Sequence, residues 1–222
     1  MLFRSAGATG DTATTGIWTR VDPNGTAAQP ENDAGAGTLC WVTGQGSAGG
    51  ALGEQDVDGG TTTLTSPTFN LSAYEDGIVS YARWYSNNTG AAPNEDSMPV
   101  EISNNGGSTW VQMELVTENL NAWATKTFRV GQFVAPTATM KVRFRARDEI
   151  SGSVIEAGVD DFKVEGIGCT AADPADINGD GTVDGAELGL LLAGWGTTSP
   201  DLSSDGLVDG SDLGLLLAAW GN

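Results

Sequence analysis

Lys141-Val142-Arg143-Phe144-Arg145-Ala146-Arg147 alternates apolar and basic side chains without a break. Successive side chains of a strand point to opposite faces, so this stretch reads as a strand buried on one side and wet on the other, the habit of antiparallel sheets. Outward from it, segments rich in Val, Thr and aromatic residues recur from Ile17 to about Gly168, broken every 8 to 14 residues by Gly, Asn, Asp or Pro clusters. Nine strands are expected: Trp18 to Asp22, Leu39 to Thr43, Gly60 to Phe69, Ile78 to Tyr85, Met98 to Ser103, Trp110 to Val116, Thr125 to Val130, Thr139 to Asp148 and Gly158 to Gly166. Asn104-Asn105-Gly106-Gly107 supplies the positive φ angles of a tight hairpin between two of them. No helix of useful length is expected here, and the pattern predicts a mainly β fold, a jelly-roll β-sandwich.

After about Cys169 the pattern stops and a unit begins that repeats itself. Asp176-Ile177-Asn178-Gly179-Asp180-Gly181-Thr182-Val183-Asp184-Gly185-Ala186-Glu187 runs into Leu188-Gly189-Leu190-Leu191-Leu192-Ala193-Gly194-Trp195. Twenty-five residues later Asp201-Leu202-Ser203-Ser204-Asp205-Gly206-Leu207-Val208-Asp209-Gly210-Ser211-Asp212 runs into Leu213-Gly214-Leu215-Leu216-Leu217-Ala218-Ala219-Trp220. A calcium loop of the EF-hand type needs oxygen ligands at positions 1, 3, 5, 9 and 12, a carbonyl at 7 and a glycine at 6. The first copy offers Asp176, Asn178, Asp180, Asp184, Glu187 and the Thr182 carbonyl, and the second Asp201, Ser203, Asp205, Asp209, Asp212 and the Leu207 carbonyl. Of the nine acids in the last 53 residues, eight fall on ligand positions, which a merely solvated acidic tail would not arrange. Calcium is therefore the expected cofactor, two ions in this tail, at the millimolar levels found outside cells.

The 222-residue chain has a formal net charge of −19 and no histidine. Imidazole-based hydrolases and imidazole-ligated zinc or iron sites are excluded, which leaves carboxylate chemistry or binding. All ten bases lie at or before Lys163, so the chain is two-part in charge. An acidic surface of this kind repels nucleic acid and anionic membrane and attracts divalent cations. The start, Met1-Leu2-Phe3-Arg4-Ser5, has no apolar signal core and no stretch approaches a membrane span. The expectation is a secreted, extracellular or cell-surface chain, its signal peptide removed or the chain itself one piece of a longer protein. Cys40 and Cys169 form either one disulfide or two buried free thiols.

Each loop is followed by one helix and preceded by none, and over about Asp173 to Asn222 this layout resembles a type I dockerin domain. The resemblance implies two calcium ions, a small helical fold that needs them, and docking to another protein. Positions 10 and 11, usually hydroxyl residues in dockerins that bind cohesins, are Gly185-Ala186 and Gly210-Ser211, and the helices carry no base, so a cohesin is not the expected partner. Leu188, Leu191, Leu192 and Trp195, with Leu213, Leu216, Leu217 and Trp220, fall in stripes expected to pack the two helices together. Leu190 and Leu215 fall off the stripes and are either ordinary small-domain core or a patch for another surface.

Asp56-Val57-Asp58-Gly59-Gly60, Tyr81-Ala82-Arg83-Trp84-Tyr85-Ser86, the Gly-Gly-Ser-Thr-Trp hairpin and Val159-Asp160-Asp161-Phe162 make the region from Asp11 to Gly166 similar to MAM-type and carbohydrate-binding jelly-roll modules of secreted hydrolases. That resemblance implies a further structural calcium, with Asp58, Asp160 and Asp161 as ligands. The other reading buries one of Asp160 and Asp161 against an arginine such as Arg83 or Arg145. Trp41, Trp84, Tyr85, Trp110 and Trp123 are the aromatics from which a glycan-binding face would be drawn. Glu95 and Asp96, adjacent and so aimed apart if in a strand, make no glycosidase pair, and no catalytic site is read. Asn24, Asn70 and Asn87 head N-x-Ser/Thr sequons.

The domains expected are an extension over 1–16, the sandwich over 17–168, a linker over 169–175 and the dockerin-like unit over 176–222. Together they predict a non-catalytic, calcium-dependent assembly protein. It would join head to tail with itself as a surface fibre or bind a scaffold or cell-surface protein. The alternative is an accessory module of a secreted hydrolase that binds a glycan and is anchored through its tail.

Overall fold

The computed structural model describes residues 3–5, 8–149, 152–168 and 173–221, in two compact units that divide after Gly168. Cys169 lies outside the described residues.

The first unit is a sandwich of nine strands: β1 (Trp18–Val21), β2 (Cys40–Thr43), β3 (Gly60–Thr65), β4 (Asp76–Ser86), β5 (Met98–Ser103), β6 (Val111–Val116), β7 (Leu120–Arg129), β8 (Lys141–Asp148) and β9 (Glu156–Ile167). They form a five-stranded sheet, β1-β2-β9-β4-β7, and a four-stranded sheet, β3-β8-β5-β6. Every pairing is antiparallel. The pairs β5·β6, β4·β7, β3·β8 and β2·β9 nest one inside the next, so the chain from β2 to β9 is one long hairpin rolled across two sheets. That is the jelly roll, with β1 added at one edge.

On β8 the inward side chains Val142, Phe144 and Ala146 are fully buried, while Lys141, Arg143, Arg145 and Arg147 stay on the outer face. Phe144 meets Tyr81 of the opposite sheet edge-on at 4.9 Å. The main core runs from Trp18 and Leu64 through Val79, Tyr85, Val100 and Met140 to Val159. A smaller core of Ala28, Cys40, Val42 and Trp84 lies apart from it, with Leu52 and Trp123 packed on it. Trp84 lies against Gly158, where a Cβ would come within 2.0 Å of its indole nitrogen, so only glycine fits. The Cys40 thiol is free and its pKa is pushed up to about 12 by burial and by Asp160 and Asp33.

The expected N-terminal extension is part of the sandwich. Arg4 bridges Thr65, Asp11 accepts from the Thr63 hydroxyl at 2.6 Å, and Phe3 sits in the main core beside Trp41 and Phe162. No strand-length alternation announces this stretch, whose described residues 3–5 and 8–16 dock through isolated contacts. β7 begins at Leu120, five residues before the sequence suggests, since a half-exposed edge strand tolerates the polar residues that hid it.

Among its described residues the second unit holds two helices, α1 (Gly185–Ala193) and α2 (Gly210–Ala218), each capped by its own loop aspartate, Asp184 or Asp209. The sequence repeat is a structural repeat: Gly196 donates to the Val208 carbonyl and Gly221 to the Val183 carbonyl, both at 2.9 Å. Its core is Ala175, Val183, Leu191, Val208 and Leu216, with Leu188 and Leu213 half-buried against them. Ala175, counted with the linker in the sequence, is thus in this core. The expected apolar stripes are corrected. Leu192 and Trp195 are 51% and 47% exposed, and Leu217 and Trp220 are 54% and 46%. Each helix has nine residues, enough to bury one leucine pair at i and i+3, and the valine at loop position 8 takes the place expected for the tryptophans. Leu190 and Leu215 are exposed.

Candidate functional site

In the first loop Gly181 takes φ +92°, the left-handed turn that position 6 requires, and Gly206 takes +94° in the second. Around that turn, Asp176 accepts from the amides of Gly179 and Gly181 at 2.9 Å, and Asp180 accepts from Thr182 N at 3.0 Å. These bonds fold the first loop onto its own carboxylates. One ligand oxygen each from Asp176, Asp180 and Glu187 then lies within 4.8 Å of the others, the only such acidic group among the described residues.

Glu187 is the informative member. It is fully buried, 0% exposed, although it is a carboxylate in a unit without a base. Its Oε2 accepts from the Asp184 amide at 2.8 Å, closing a capping box, while Oε1 is buried with no hydrogen-bond partner. An uncompensated buried carboxylate oxygen costs stability, and a cation held between these three carboxylates would supply the partner it lacks. Asn178 and Asp184 stand at the loop rim. Asn178 Oδ1 accepts from Asp180 N, and Asp184 Oδ1 from Ala186 N, both at 2.8 Å.

The second loop follows the same plan with a shorter twelfth residue. Asp212 is equally buried, but both its oxygens are taken, Oδ1 by Ser203 N at 2.8 Å and Oδ2 by Asp209 N at 2.7 Å. These amides hold its carboxyl below the usual carboxylate range. Asp201 accepts from Gly206 N at 2.7 Å and Asp205 from Leu207 N at 3.0 Å. Asp201, Asp205 and Asp212 do not draw together as the first three acids do.

The three acids expected to hold a calcium in the sandwich are not brought together. Asp58 is exposed and accepts from the Thr15 hydroxyl at 3.0 Å, in the neighbourhood of Asp56 and Asp148. Burial, then the charges of Asp58 and Asp148, push the Asp56 carboxyl up to about 6. Asp160 instead accepts from Ala34 N at 3.0 Å, and Asp161, at φ +49° in a bulge of β9, lies 3.8 Å from Lys163. Neither faces Arg83 or Arg145. Arg83 is 1% exposed and pairs with Glu114 at 2.5 Å and Glu118 at 2.7 Å, with Lys126 alongside and the Tyr81 hydroxyl donating to Glu114. Sequence alternation hid this cluster, because β6 is shifted in register by a bulge that turns Glu114 inward.

Among the aromatics, Trp84 and Tyr85 are core, and Trp123 is half-buried and donates to the Asn32 carbonyl. Trp41 lines a cleft of about 190 Å³ with Arg20, Leu39 and Asp160, and Trp110 lies under the Arg143 guanidinium at 4.2 Å. Glu95 and Asp96 lie in the loop before β5, Glu95 exposed and Asp96 buried. Of the three sequons, Asn87 is fully buried, with Nδ2 donating to the Asp96 carbonyl, and cannot present an amide to a transferase.

No protein-family model and no curated protein matches the chain. Among solved structures, TmCBM61 in complex with β-1,4-galactotriose is similar, at 13% identity over 74% of this chain and 88% of that one, with a TM-score of 0.46. The K1 cleaved adhesin domain of Lys-gingipain from Porphyromonas gingivalis W83 gives 16% identity over 75% and 91%, with a TM-score of 0.42. The CBM22-1 xylan-binding domain of Paenibacillus barcinonensis Xyn10C gives 12% over 76% and 95%, with a TM-score of 0.36. The jelly roll itself rests on the strand pairings above, and no residue role passes from these proteins to this chain.

Proposed function

We propose that the chain is a non-catalytic extracellular protein in which a carbohydrate-binding β-sandwich is attached to its surroundings by a calcium-loaded docking tail. The observation that carries the tail's part is Glu187, buried with one oxygen unpartnered beside Asp176 and Asp180. The loop residues expected from the sequence, Asp176 to Glu187 and Asp201 to Asp212, would hold one ion each. The sandwich's part is supported by the clefts beside Trp41 and Trp110, which combine an aromatic ring with polar side chains as sugar sites do.

Calorimetric titration of the chelator-stripped chain with calcium tests the tail. Uptake of two ions with a gain of helical circular dichroism is expected, and no heat and no change of spectrum would overturn the reading.

The six exposed leucines and tryptophans of α1, α2 and the turns that follow them favour a protein surface as the tail's partner. A second reading makes that partner another copy of this chain, joined head to tail into a fibre. Light scattering in millimolar calcium separates the two readings: large assemblies that dissolve on chelation support the fibre, and a monomer under both conditions rejects it.

A further inference from the structure

The outer face of the four-stranded sheet carries a ladder of bases. Lys141, Arg143, Arg145 and Arg147 stand at alternate positions of β8, and Thr65, Thr63 and Thr61 lie opposite the three arginines on β3. Two depressions, of about 380 Å³ and 200 Å³, meet on this face and share Thr65 and Lys141. Arg4, Thr65, Thr68, Trp110, Lys141 and Arg143 supply their chemistry, and no carboxylate lines either one among the described residues. This is notable in a chain of net charge −19.

The two neighbouring acids are each tied to a residue of the groove and line neither depression. Glu101 binds Arg143 Nε at 2.7 Å and lies 4.0 Å from Arg145, while Asp11 accepts from Thr63. Arg4 and Lys141 have no carboxylate within ion-pairing distance among the described residues. Stacking on Trp110 and the bond to Glu101 fix the plane of Arg143 through one face and Nε. Its terminal nitrogens carry no partner among the described residues, and a guanidinium so held is set to grip a carboxylate or sulfate. The bases also crowd each other: burial, then Arg147 and Arg143, hold Arg145 below the usual arginine range.

We infer that this groove binds an anionic polysaccharide, a glycan bearing carboxylate or sulfate groups, with Arg4, Lys141 and Arg143 as its charge-reading residues. The inference rests on the reading of the sandwich as a carbohydrate-binding module and selects its class of glycan. An extended groove with cations at several points and hydroxyls between them matches a polymer whose negative charge recurs along the chain. A single phosphate-sized ion would use one of those points only.

The test is binding of the calcium-loaded full chain, at free calcium too low to gel a uronate, to four probes of equal length. These are an oligogalacturonate, a sulfated oligosaccharide, a neutral cello-oligosaccharide and single-stranded DNA. Tighter binding of one or both acidic glycans than of the other probes is expected, weakening as salt rises, and the two acidic arms tell carboxylate from sulfate recognition. Lys141→Ala and Arg4→Ala, both outside the core, should each weaken it about tenfold, the loss of one charge-assisted hydrogen bond, with the circular dichroism unchanged. Equal binding of neutral and acidic glycans would overturn the inference and leave the carbohydrate reading standing. Binding of neither would sink both. DNA bound as well as the glycans, or Lys141→Ala without effect, would also overturn it.

Discussion

The sandwich and the tail solve the same problem with unequal means. Twenty-two buried side chains form the main core of the sandwich among the described residues, whereas the tail has five. A unit of about 50 residues with so small a core falls in the range where a metal or another staple is usually needed. The tail also buries two carboxylates, Glu187 and Asp212, at the loop ends where a larger protein would place apolar groups. Where apolar burial is so scarce, the calcium proposed for the loops would replace it, and the tail's fold would then be conditional on an ion.

The largest effect expected is therefore selective melting. Excess chelator should abolish the tail's transition in scanning calorimetry and leave that of the sandwich within a few degrees of its place; a chain whose two transitions move together would break the comparison. The reverse experiment is Arg83→Ala, which leaves Glu114, only 13% exposed, without its main partner. It should cost the sandwich about 3–5 kcal/mol in denaturant titration and leave calcium uptake unchanged.

Within the tail, the two loops differ by one methylene at position 12, Glu187 against Asp212. Glu187 offers an oxygen with no other partner, whereas Asp212 must first release an amide. The first site should be the tighter one. Glu187→Gln should weaken it on the order of 100-fold in calorimetry, and Asp212→Glu should strengthen the second site about tenfold; equal affinities in the parent chain would contradict this account.

The smallest effect is that of pH, and it has opposite signs in the two regions. The folded-state pKa of Asp56, at about 6, lies above its ordinary 3.8, so the folded sandwich holds this proton more tightly than the unfolded chain. Its contribution to stability grows as pH falls from 7 through 6 and is complete below the ordinary value. A tail loaded with calcium as proposed would need ionised ligands and should weaken as the solution is acidified. Melts between pH 7 and 5 should bring the two transitions further apart, and Asp56→Asn should flatten the response of the sandwich.

Much of the sandwich was legible because its strands repeat a two-residue period, as β8 does, and because Asn104 to Gly107 marks a turn that nothing else explains. The repeat was legible for another reason: its acids and glycines follow a fixed spacing that appears twice. What stayed hidden lies between distant residues. Alternation gives the face a side chain points to but not its partner, so the sequence offers Asp160 or Asp161 as an alternative partner for Arg83 or Arg145 and gives no sign of Glu114. Helical spacing likewise assigned Trp195 and Trp220 to a core that two nine-residue helices are too short to build. The outer-face groove was visible only as alternating bases, since Arg4 and Trp110 reach it from other segments.

The rolled hairpin also sets an order in time. Trp41 on β2 pairs with Val159 on β9, a separation of 118 residues along the chain (159 minus 41), so the five-stranded sheet cannot close until nearly the whole sandwich has been synthesised. Folds dominated by such distant pairings are slow, with folding times from milliseconds to seconds. The tail's links between its repeats, Gly196 to Val208 and Gly221 to Val183, span far fewer residues, and with calcium bound as proposed its folding would wait for the ion instead. During synthesis the sandwich would then be limited by chain length and the tail by its surroundings.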